Sequence, residues 1–256
     1  MSAPPKTIDA ADAAVVIARA ERVVVVTGAG ISTDSGIPDY RGPNGLWTKD
    51  PSAARYVDLP AYLADAELRA EAWQRRISHP AHQAQPNAAH RALVRLHQAG
   101  RLRAVLTQNI DGLHQSAGLP DGVVLELHGN IRQTECVDCG RRRSMAEAVG
   151  RVQGGEIDPD CRDCGGILKS ATVFFGQSVD PDLFARAGRL LAAADLIWVI
   201  GSSLRVAPIA GMVGAAAGRS ALLVTNAEPT PYDDVAVAVV RDPIGAAVPQ
   251  MVRLVP

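Results

Sequence analysis

The chain has 256 residues, of which 47% are hydrophobic and 21% are charged, and its formal net charge is −1. This composition is typical of globular domains, and the near-zero charge creates no overall field that would attract nucleic acid or a membrane. The apolar run 190–200 contains Asp195 and is too short to span a bilayer, and residues 1–6 lack the apolar core of a signal peptide. We therefore expect a cytoplasmic protein with no membrane partner.

Six short apolar runs, most of them rich in valine, isoleucine or leucine, indicate strands that are buried on both faces of a parallel sheet. They cover residues 22–27, 102–107, 123–127, 195–200, 221–225 and 236–240. Helical patterns lie between many of them, at 8–20, 87–99, 181–191 and 208–217, with Asp180 as the expected N-cap of the third helix. Strands that alternate with helices predict a doubly wound, Rossmann-like α/β sheet.

Two stretches interrupt this alternation. Residues 42–86 contain a Gly/Pro-rich loop and then an alanine-rich helical piece. Residues 131–171 contain all four cysteines and six glycines, and we expect no helix there after Val149. We predict that both stretches are insertions that together form a small second lobe. Residues 1–41, 87–130 and 172–256 then form the Rossmann-like domain.

A glycine-rich loop, VTGAGIS at 26–32, follows the first predicted strand and should open a helix. Glycines let the backbone approach a dinucleotide pyrophosphate, which helix N-terminal amides bind. A complete G-x-G-x-x-G motif would have glycine at position 33, where this chain has Thr33, so a purely structural turn is the alternative. Two glycines and two prolines in 36–43 force a loop that carries Asp39, Tyr40 and Arg41. Such a loop favours chemistry at the cofactor's own sugar over hydride transfer.

Polar side chains also follow the second and third predicted strands. TQNIDGLH at 107–114 places Gln108, Asn109 and Asp111 where ligands bind in open α/β sheets, and an Asx-rich turn is the alternative. His128 ends the third apolar run and precedes a glycine. An unperturbed histidine pKa of about 6.5 suits a general base near neutral pH, although a structural histidine fits the same pattern.

The cysteines form two C-x-x-C pairs separated by 21 residues: Cys136, Cys139, Cys161 and Cys164. This spacing indicates a closed tetrahedral zinc site, which is structural because four thiolates leave no open coordination position. Zinc ribbons can also bind nucleic acid. Residues 131–171 contain no aromatic side chain on which a base could stack, so we expect no nucleic-acid partner.

The segment GAGISTDSGIPDYRGPNGLW at 28–47 resembles the opening motif of the sirtuins. The resemblance continues in TQNIDGLH at 107–114, in the His-Gly pair at 128–129, in the paired cysteines, in VFFG at 173–176 and in GSSLRVAP at 201–208. It covers nearly the whole chain in the family's order. It implies an NAD-dependent protein lysine deacylase that releases nicotinamide, O-acyl-ADP-ribose and free lysine, with acyl-lysine proteins or peptides as substrates.

The resemblance also assigns roles to individual residues. His128 would be the catalytic base, and Asn109 would position the nicotinamide ribose and a water. The predicted NAD contacts are Gly28, Ala29, Gly30, Ser32, Thr33, Asp39, Tyr40, Arg41, Gln108, Asn109, Ile110, Asp111, His128, Gly201, Ser202, Ser203, Asn226, Ala227, Glu228 and Ile244. The predicted substrate contacts are Val173, Phe174, Phe175 and Gly176, which would pair with the peptide backbone and line the acyl-lysine channel. Gln177 stands where the family often has an acidic residue.

Two other functions share some of these features. An NAD-dependent ADP-ribosyltransferase would use the same cofactor residues, and a zinc-ribbon nucleic-acid binder could retain an inactive Rossmann scaffold. For the acyl group, sirtuins that favour succinyl or malonyl lysine carry a Tyr-x-x-Arg pair. The ungapped equivalents here are Ala72 and Arg75, and Trp73 and Arg76 have the same spacing one residue along. We therefore expect neutral acyl groups to be used better than succinyl.

Overall fold

The computed structural model describes residues 6–255, within which the strands form two sheets. The strands of the large sheet are β1 (Val23–Thr27), β2 (Leu102–Thr107), β3 (Val124–Glu126), β7 (Leu196–Ile200), β8 (Ala221–Thr225) and β9 (Ala238–Val240). The small sheet consists of β4 (Gly129–Cys136), β5 (Arg142–Ser144) and β6 (Leu168–Thr172). The expectation that no signal peptide is present falls almost entirely on residues 1–5, outside the described part of the chain.

The large sheet is wholly parallel and has the strand order β3-β2-β1-β7-β8-β9. All six predicted strands are confirmed, and each observed strand end lies within two residues of the predicted one. The chain runs outward from β1 through β2 and β3, and later returns to the other side of β1 to begin β7. Ligands bind in open α/β sheets at such a reversal, in the crevice outside the carboxyl ends of the strands.

Helices cover both faces of the large sheet, which confirms the doubly wound architecture. One face packs against α1 (Ala10–Arg19), α5 (Ala88–Gln98) and α10 (Ile244–Val252), and the other against α8 (Pro181–Ala193) and α9 (Ile209–Ala216). Successive side chains of β1 point to opposite faces of the sheet, so the strand packs against the helices on both sides. Val23 and Val25 belong to the first apolar cluster, whereas Val24 and Val26 belong to the second.

The predicted starts of two of these helices agree with the structure. The Asp180 carboxylate accepts hydrogen bonds from the N–H groups of Asp182 and Leu183, which confirms it as the N-cap of α8. Asn87 caps α5 and also donates to the carbonyl of Ile31, so it ties this helix to the loop after β1. Within residues 6–255, no helix has the length and apolar character needed to cross a membrane.

The two interrupting stretches contribute to one apolar cluster beside the small sheet. The remaining helices are α2 (Leu46–Lys49), α3 (Leu59–Ala64), α4 (Ala66–Ile77), α6 (Leu113–Ser116) and α7 (Met145–Gln153). Trp73 of α4 is fully buried against Cys136 and against Met145 and Val152 of α7. The alanine-rich insertion therefore packs onto the cysteine-containing one.

The expectation that no helix continues after Val149 is wrong, because α7 runs to Gln153. Its buried face consists of Met145, Ala148 and Val152. A glycine inside a helix costs only about 1 kcal/mol relative to alanine, and burial of this face outweighs the cost of Gly150.

Candidate active site

A cavity of about 660 Å³ opens beside the carboxyl ends of β1, β2, β7 and β8. This volume lies within the usual range for small-molecule and cofactor sites. The predicted site residues that line it are Gly28, Ala29, Gly30, Asp39, Tyr40, Arg41, Gln108, Asn109, Ile110, His128, Val173, Phe174, Phe175, Gly176, Gly201, Ser202, Ser203, Asn226 and Glu228. The structure thus brings together residues that are up to 200 positions apart in the sequence.

The loop after β1 and the loop after β7 touch through their glycines at one wall of the cavity. A Cβ added to Gly28 would lie 2.7 Å from the Gly201 carbonyl oxygen, and one added to Gly30 would lie 2.7 Å from the Gly201 Cα. Gly201 itself has a φ of +63°, which disfavours any side chain. The Gly30 N–H donates to the Gly201 carbonyl at 2.9 Å. These glycines are therefore required by loop-to-loop contact, in addition to any role toward a pyrophosphate.

Asn109 is fixed at the end of β2 by hydrogen bonds on two sides. Its side-chain amide donates to the Gly28 carbonyl at 3.1 Å and to Ser32 Oγ at 3.2 Å. Its backbone N–H donates to Thr107 Oγ1 at 3.0 Å, and the Ser32 hydroxyl donates to Asp111 Oδ2 at 2.8 Å. Both amide hydrogens are thereby used. The Asn109 Oδ1 atom is left as an acceptor for a hydroxyl or a water in the cavity.

Asp111 lies behind this network and holds it in place. Its other carboxylate oxygen accepts from the Leu113 N–H at 2.9 Å. Burial raises the pKa of Asp111, and the Leu113 and Ser32 hydrogen bonds partly oppose that rise. Burial also raises the pKa of the Tyr40 phenol, and the Asp111 charge raises it further, so Tyr40 is neutral at physiological pH.

His128 follows β3 and lines the cavity with one ring nitrogen fixed. Its Nδ1 lies 3.1 Å from the Gln108 carbonyl oxygen, which can only accept, so Nδ1 carries the hydrogen. The neutral ring consequently has a free lone pair on Nε2. Burial lowers the pKa of His128 from its ordinary value near 6.5, and the Gln108 hydrogen bond opposes this shift. A neutral imidazole with Nε2 as acceptor is the form that a general base requires.

Gln108 is held from the β7 side of the cavity. The Ser202 hydroxyl donates to Gln108 Oε1 at 2.6 Å and accepts from the Leu204 N–H at 3.2 Å. With Oε1 occupied in this way, the Gln108 amide hydrogens are the groups that can reach a ligand. Ser202 thus orients Gln108 as well as lining the cavity itself.

The proposed substrate segment begins where β6 ends, and its two phenylalanines differ. Phe174 is buried against Tyr62 with ring centroids 5.3 Å apart, whereas Phe175 is 44% exposed and lies 5.5 Å from the Trp47 ring. The Phe175 N–H donates to the Val57 carbonyl at 2.7 Å, and the Val173 N–H donates to the His128 carbonyl at 2.9 Å. The segment is therefore anchored to its own chain on one side.

Some predicted cofactor residues do not line the cavity: Ser32, Thr33, Asp111, Ala227 and Ile244. Ser32 and Asp111 are buried and support Asn109, as described above. Thr33 is exposed and donates to the carbonyl of Gly30 in its own turn at 3.0 Å. Ile244 begins α10 and packs against the apolar cluster on that face of the sheet. Direct contact with NAD stays a prediction for these residues and for those that line the cavity.

The four cysteines converge into a possible metal centre. All four Sγ atoms lie within 4.8 Å of one another, with 3.5 Å between Cys136 and Cys164 and 3.7 Å between Cys139 and Cys161. Four thiolates at 2.3 Å from a tetrahedral zinc ion would be about 3.8 Å apart. The peptide N–H of Asp163 contributes most to lowering the pKa of the Cys161 thiol to about 7, whereas burial raises the pKa of the Cys136 thiol. The cluster fits a structural zinc ion.

Comparison with known proteins agrees with this arrangement. The model of the Sir2 family matches residues 28–208, which include the loops after β1, β2 and β7, the His128 position and all four cysteines. This chain belongs to the Sir2 family. The sirtuin resemblance noted in the sequence is thereby confirmed.

Relatives and solved structures match over nearly their full lengths. An NAD-dependent protein deacetylase 2 of Streptomyces coelicolor is 50% identical over 232 residues, which are 90% of this chain and 96% of that protein. A crystal structure of a Sir2 homologue in complex with NAD has a TM-score of 0.85 at 31% identity, and the match covers 98% of this chain and 96% of the other. A Sir2 enzyme bound to a propionylated peptide has a TM-score of 0.79 at 32% identity, with 91% and 92% covered.

Several residues that line the cavity, including Trp47 and Arg205, had no role in the sequence-based prediction. The Trp47 ring centroid lies 4.7 Å from that of Tyr40 and 5.5 Å from that of Phe175. The Arg41 guanidinium lies 4.6 Å from the centroid of the Trp47 ring, so Trp47 connects the cofactor loop with Phe175. The position of Trp47 at the end of the 28–47 motif could have indicated a role in the site. Arg205 also lines the cavity, and its position in the 201–208 motif could have indicated a role.

The positions considered for acyl preference do not reach the cavity surface, although Ala72 packs in one cluster with Phe174, which does. Ala72, Trp73 and Arg76 are buried in or near the small lobe, and Arg75 lies 3.6 Å from Asp50. None of them lines the cavity. The residues that set acyl preference therefore have to be sought along the cavity wall.

Proposed function

We propose that this member of the Sir2 family is an NAD-dependent protein-lysine deacetylase, using neutral acyl groups, that forms nicotinamide, O-acyl-ADP-ribose and free lysine. The single observation that carries this assignment is the pairing of His128 and Asn109 in one cavity. His128 presents a basic Nε2, and Asn109 presents an acceptor oxygen, while their remaining polar atoms are bound by the backbone and by Ser32. The names of the relatives, including the Streptomyces coelicolor deacetylase, support the same activity.

The residues would divide the work as follows. When bound, NAD supplies a ribose carbon that can lose nicotinamide and accept the oxygen of the acyl amide. Asn109 accepts a hydrogen bond from a ribose hydroxyl or a water through Oδ1, and Gln108 donates one through its amide. His128 takes a proton from a ribose hydroxyl through Nε2. Because an amide oxygen is a poor nucleophile, alignment of the reactants is the main contribution of the site.

Phe174 and Phe175 form the apolar part of the same wall. We assign them to the acyl-lysine channel, where their rings would shield the reacting sugar from water. The Trp47 ring, which touches Phe175, would connect this channel with the loop that covers the cofactor. A neutral acyl chain suits these two apolar rings because a carboxylate placed against them would lose its hydration.

We further propose the domain limits expected from the sequence: a Rossmann-like domain of 1–41, 87–130 and 172–256, a cofactor-loop and helical insertion of 42–86, and a zinc-ribbon insertion of 131–171. The zinc ion would stabilise the small lobe without entering the chemistry. We place the enzyme in the cytoplasm, where cysteines stay reduced and bind metal in preference to forming disulfides.

The first test is whether NAD consumption depends on an acylated peptide. Nicotinamide release is measured with an acetyl-lysine peptide, with the same peptide carrying unmodified lysine, and without peptide. We expect release with the acetylated peptide only. Equal release in all three reactions would indicate an NAD hydrolase and contradict the assignment.

A further inference from the structure

Arg205 is held at the cavity wall by the conformation of the loop after β7. Its neighbour Leu204 is 2% exposed, has a φ of +49° and donates its N–H to Ser202 Oγ at 3.2 Å. Leu204 packs into the apolar cluster against α8 and α9, while Arg205 is exposed and lines the cavity. A non-glycine residue with positive φ is uncommon and marks a constrained loop. The constraint on Leu204 therefore fixes where Arg205 emerges.

The Arg205 guanidinium has no counter-ion within residues 6–255. It forms no salt bridge there, whereas Arg241, close to the same wall, donates to the Asn226 carbonyl and is ion-paired with Asp233. Arg205 also lies near a second cation: burial lowers the pKa of Arg41, and the charge of Arg205 lowers it further. Two cations that repel each other make this part of the cavity favourable for an anion.

The carboxylates that line the cavity do not neutralise this charge. Asp39 accepts a hydrogen bond from the Gly42 N–H at 2.9 Å and is bound within its own loop. Glu228 follows β8 and forms no ion pair with Arg205 in the described part of the chain. We have assigned Arg41 and Glu228 to the dinucleotide, which leaves Arg205 as a cation without an assigned ligand.

The surroundings of Arg205 suggest a peptide as the source of the anion. The N–H groups of Arg205, Val206 and Ala207 make no hydrogen bond within residues 6–255, and the same is true of the Gly176 N–H in the Phe174–Phe175 segment. Free backbone groups on two segments that line one cavity can accept an extended chain between them. Successive side chains of such a chain point to opposite sides, so one of them would face Arg205.

We propose that Arg205 binds the carboxylate of an aspartate or glutamate next to the acylated lysine, so that the enzyme prefers acidic sequences around its target. The proposal rests on the deacylase function proposed above and adds a specificity-determining residue to it. A guanidinium matches a carboxylate with two parallel hydrogen bonds, which makes the preference directional as well as electrostatic.

The test compares acetyl-lysine peptides that carry Asp, Asn or Lys at each of the two positions on either side of the modified lysine. Wild type, Arg205→Gln and Arg205→Glu are assayed, with Arg219→Gln as the matched control. Arg219 is exposed in the turn that follows α9 and does not line the cavity. At one position we expect Asp to exceed Asn by about fivefold in kcat/KM for the wild type and the control. Arg205→Gln abolishes this ratio, and Arg205→Glu reverses it in favour of Lys.

Other results would overturn the proposal. If the Asp/Asn ratio is unchanged in Arg205→Gln, Arg205 does not read the peptide. If the KM for NAD rises about fivefold and no peptide preference exists, Arg205 binds a phosphate of the dinucleotide instead. If Arg205→Gln selectively loses the turnover of succinyl-lysine peptides, the carboxylate that Arg205 binds belongs to the acyl group and not to a neighbouring residue. Calorimetric Kd values for the same peptides test the preference without turnover, so a failure of the deacylase assignment is separable from a failure of the acidic subsite.

Discussion

Replacement of Gly30 by alanine tests the contact between the two loops that frame the cavity. The new Cβ would lie 2.7 Å from the Gly201 Cα and 2.9 Å from the Gly201 carbonyl oxygen. Both are backbone atoms that cannot rotate away, so the loops must separate. The two loops are also joined by the hydrogen bond from the Gly30 N–H to the Gly201 carbonyl. Gly201 precedes Ser202, which orients Gln108, so a shift of this loop would also disturb Gln108.

Overpacking of this kind costs about 1–3 kcal/mol. For a chain of this size, each 1 kcal/mol lowers Tm by about 2–4 °C. We therefore expect Gly30→Ala to lower the free energy of unfolding, measured in urea, by about 1–3 kcal/mol. The KM for NAD should rise, because the displaced wall carries the predicted cofactor contacts. Gly211→Ala is the control: Gly211 lies inside α9 with no atom near the added Cβ, and helix propensity predicts a gain of up to about 1 kcal/mol. Unchanged stability and unchanged KM in Gly30→Ala would show that the two loops can separate at no cost and that their contact is not required.

Four further predictions concern the cavity and the metal centre. His128→Ala should lower kcat/KM by about 10²–10⁴-fold while the fold and NAD binding persist; more than half of the activity remaining would exclude it as the base. Because burial lowers the pKa of His128 and the neutral form is active, the acid limb of the wild-type kcat/KM profile should lie below pH 6.5, and a limb above 6.5 would contradict this. Cys139→Ala should lose the bound metal and lower Tm; elemental analysis should find about one zinc per chain in the wild type, and a fully active, reduced, metal-free protein would rule the site out. On one peptide, acetyl-lysine should exceed succinyl-lysine in kcat/KM, and a tenfold advantage for succinyl, about 1.4 kcal/mol, would show that the channel is assigned incorrectly.

The strands and the zinc-site cysteines were predictable from the sequence because their signals are local. A five-residue strand such as β1 is buried throughout, and buried parallel strands appear as continuous apolar runs. The C-x-x-C pairs likewise determine the shape of each half of the metal site. In α7, by contrast, Gly150 suggested an early end to the helix. Packing against Trp73, which is remote in sequence, decided the outcome.

Properties that depend on partners far apart in the chain were not predictable. The sequence offers a pyrophosphate as the reason for Gly30, and only the structure shows that Gly201 also requires it. Phe174 and Phe175 are adjacent and chemically identical, yet one is buried against Tyr62 and the other is exposed beside Trp47. Arg205 lies in the 201–208 motif, but the sequence alone assigns it no ligand. Only the structure shows that Arg205 lines the cavity and that it has no counter-ion in the described part of the chain.

Mass spectrometry of the products formed from NAD and an acetyl-lysine peptide tests the deacetylase activity itself. We expect equal amounts of nicotinamide, O-acetyl-ADP-ribose and peptide with free lysine, because His128 would direct a ribose hydroxyl to receive the acyl group. A peptide that gains ADP-ribose and keeps its acetyl group would identify an ADP-ribosyltransferase and contradict the central claim.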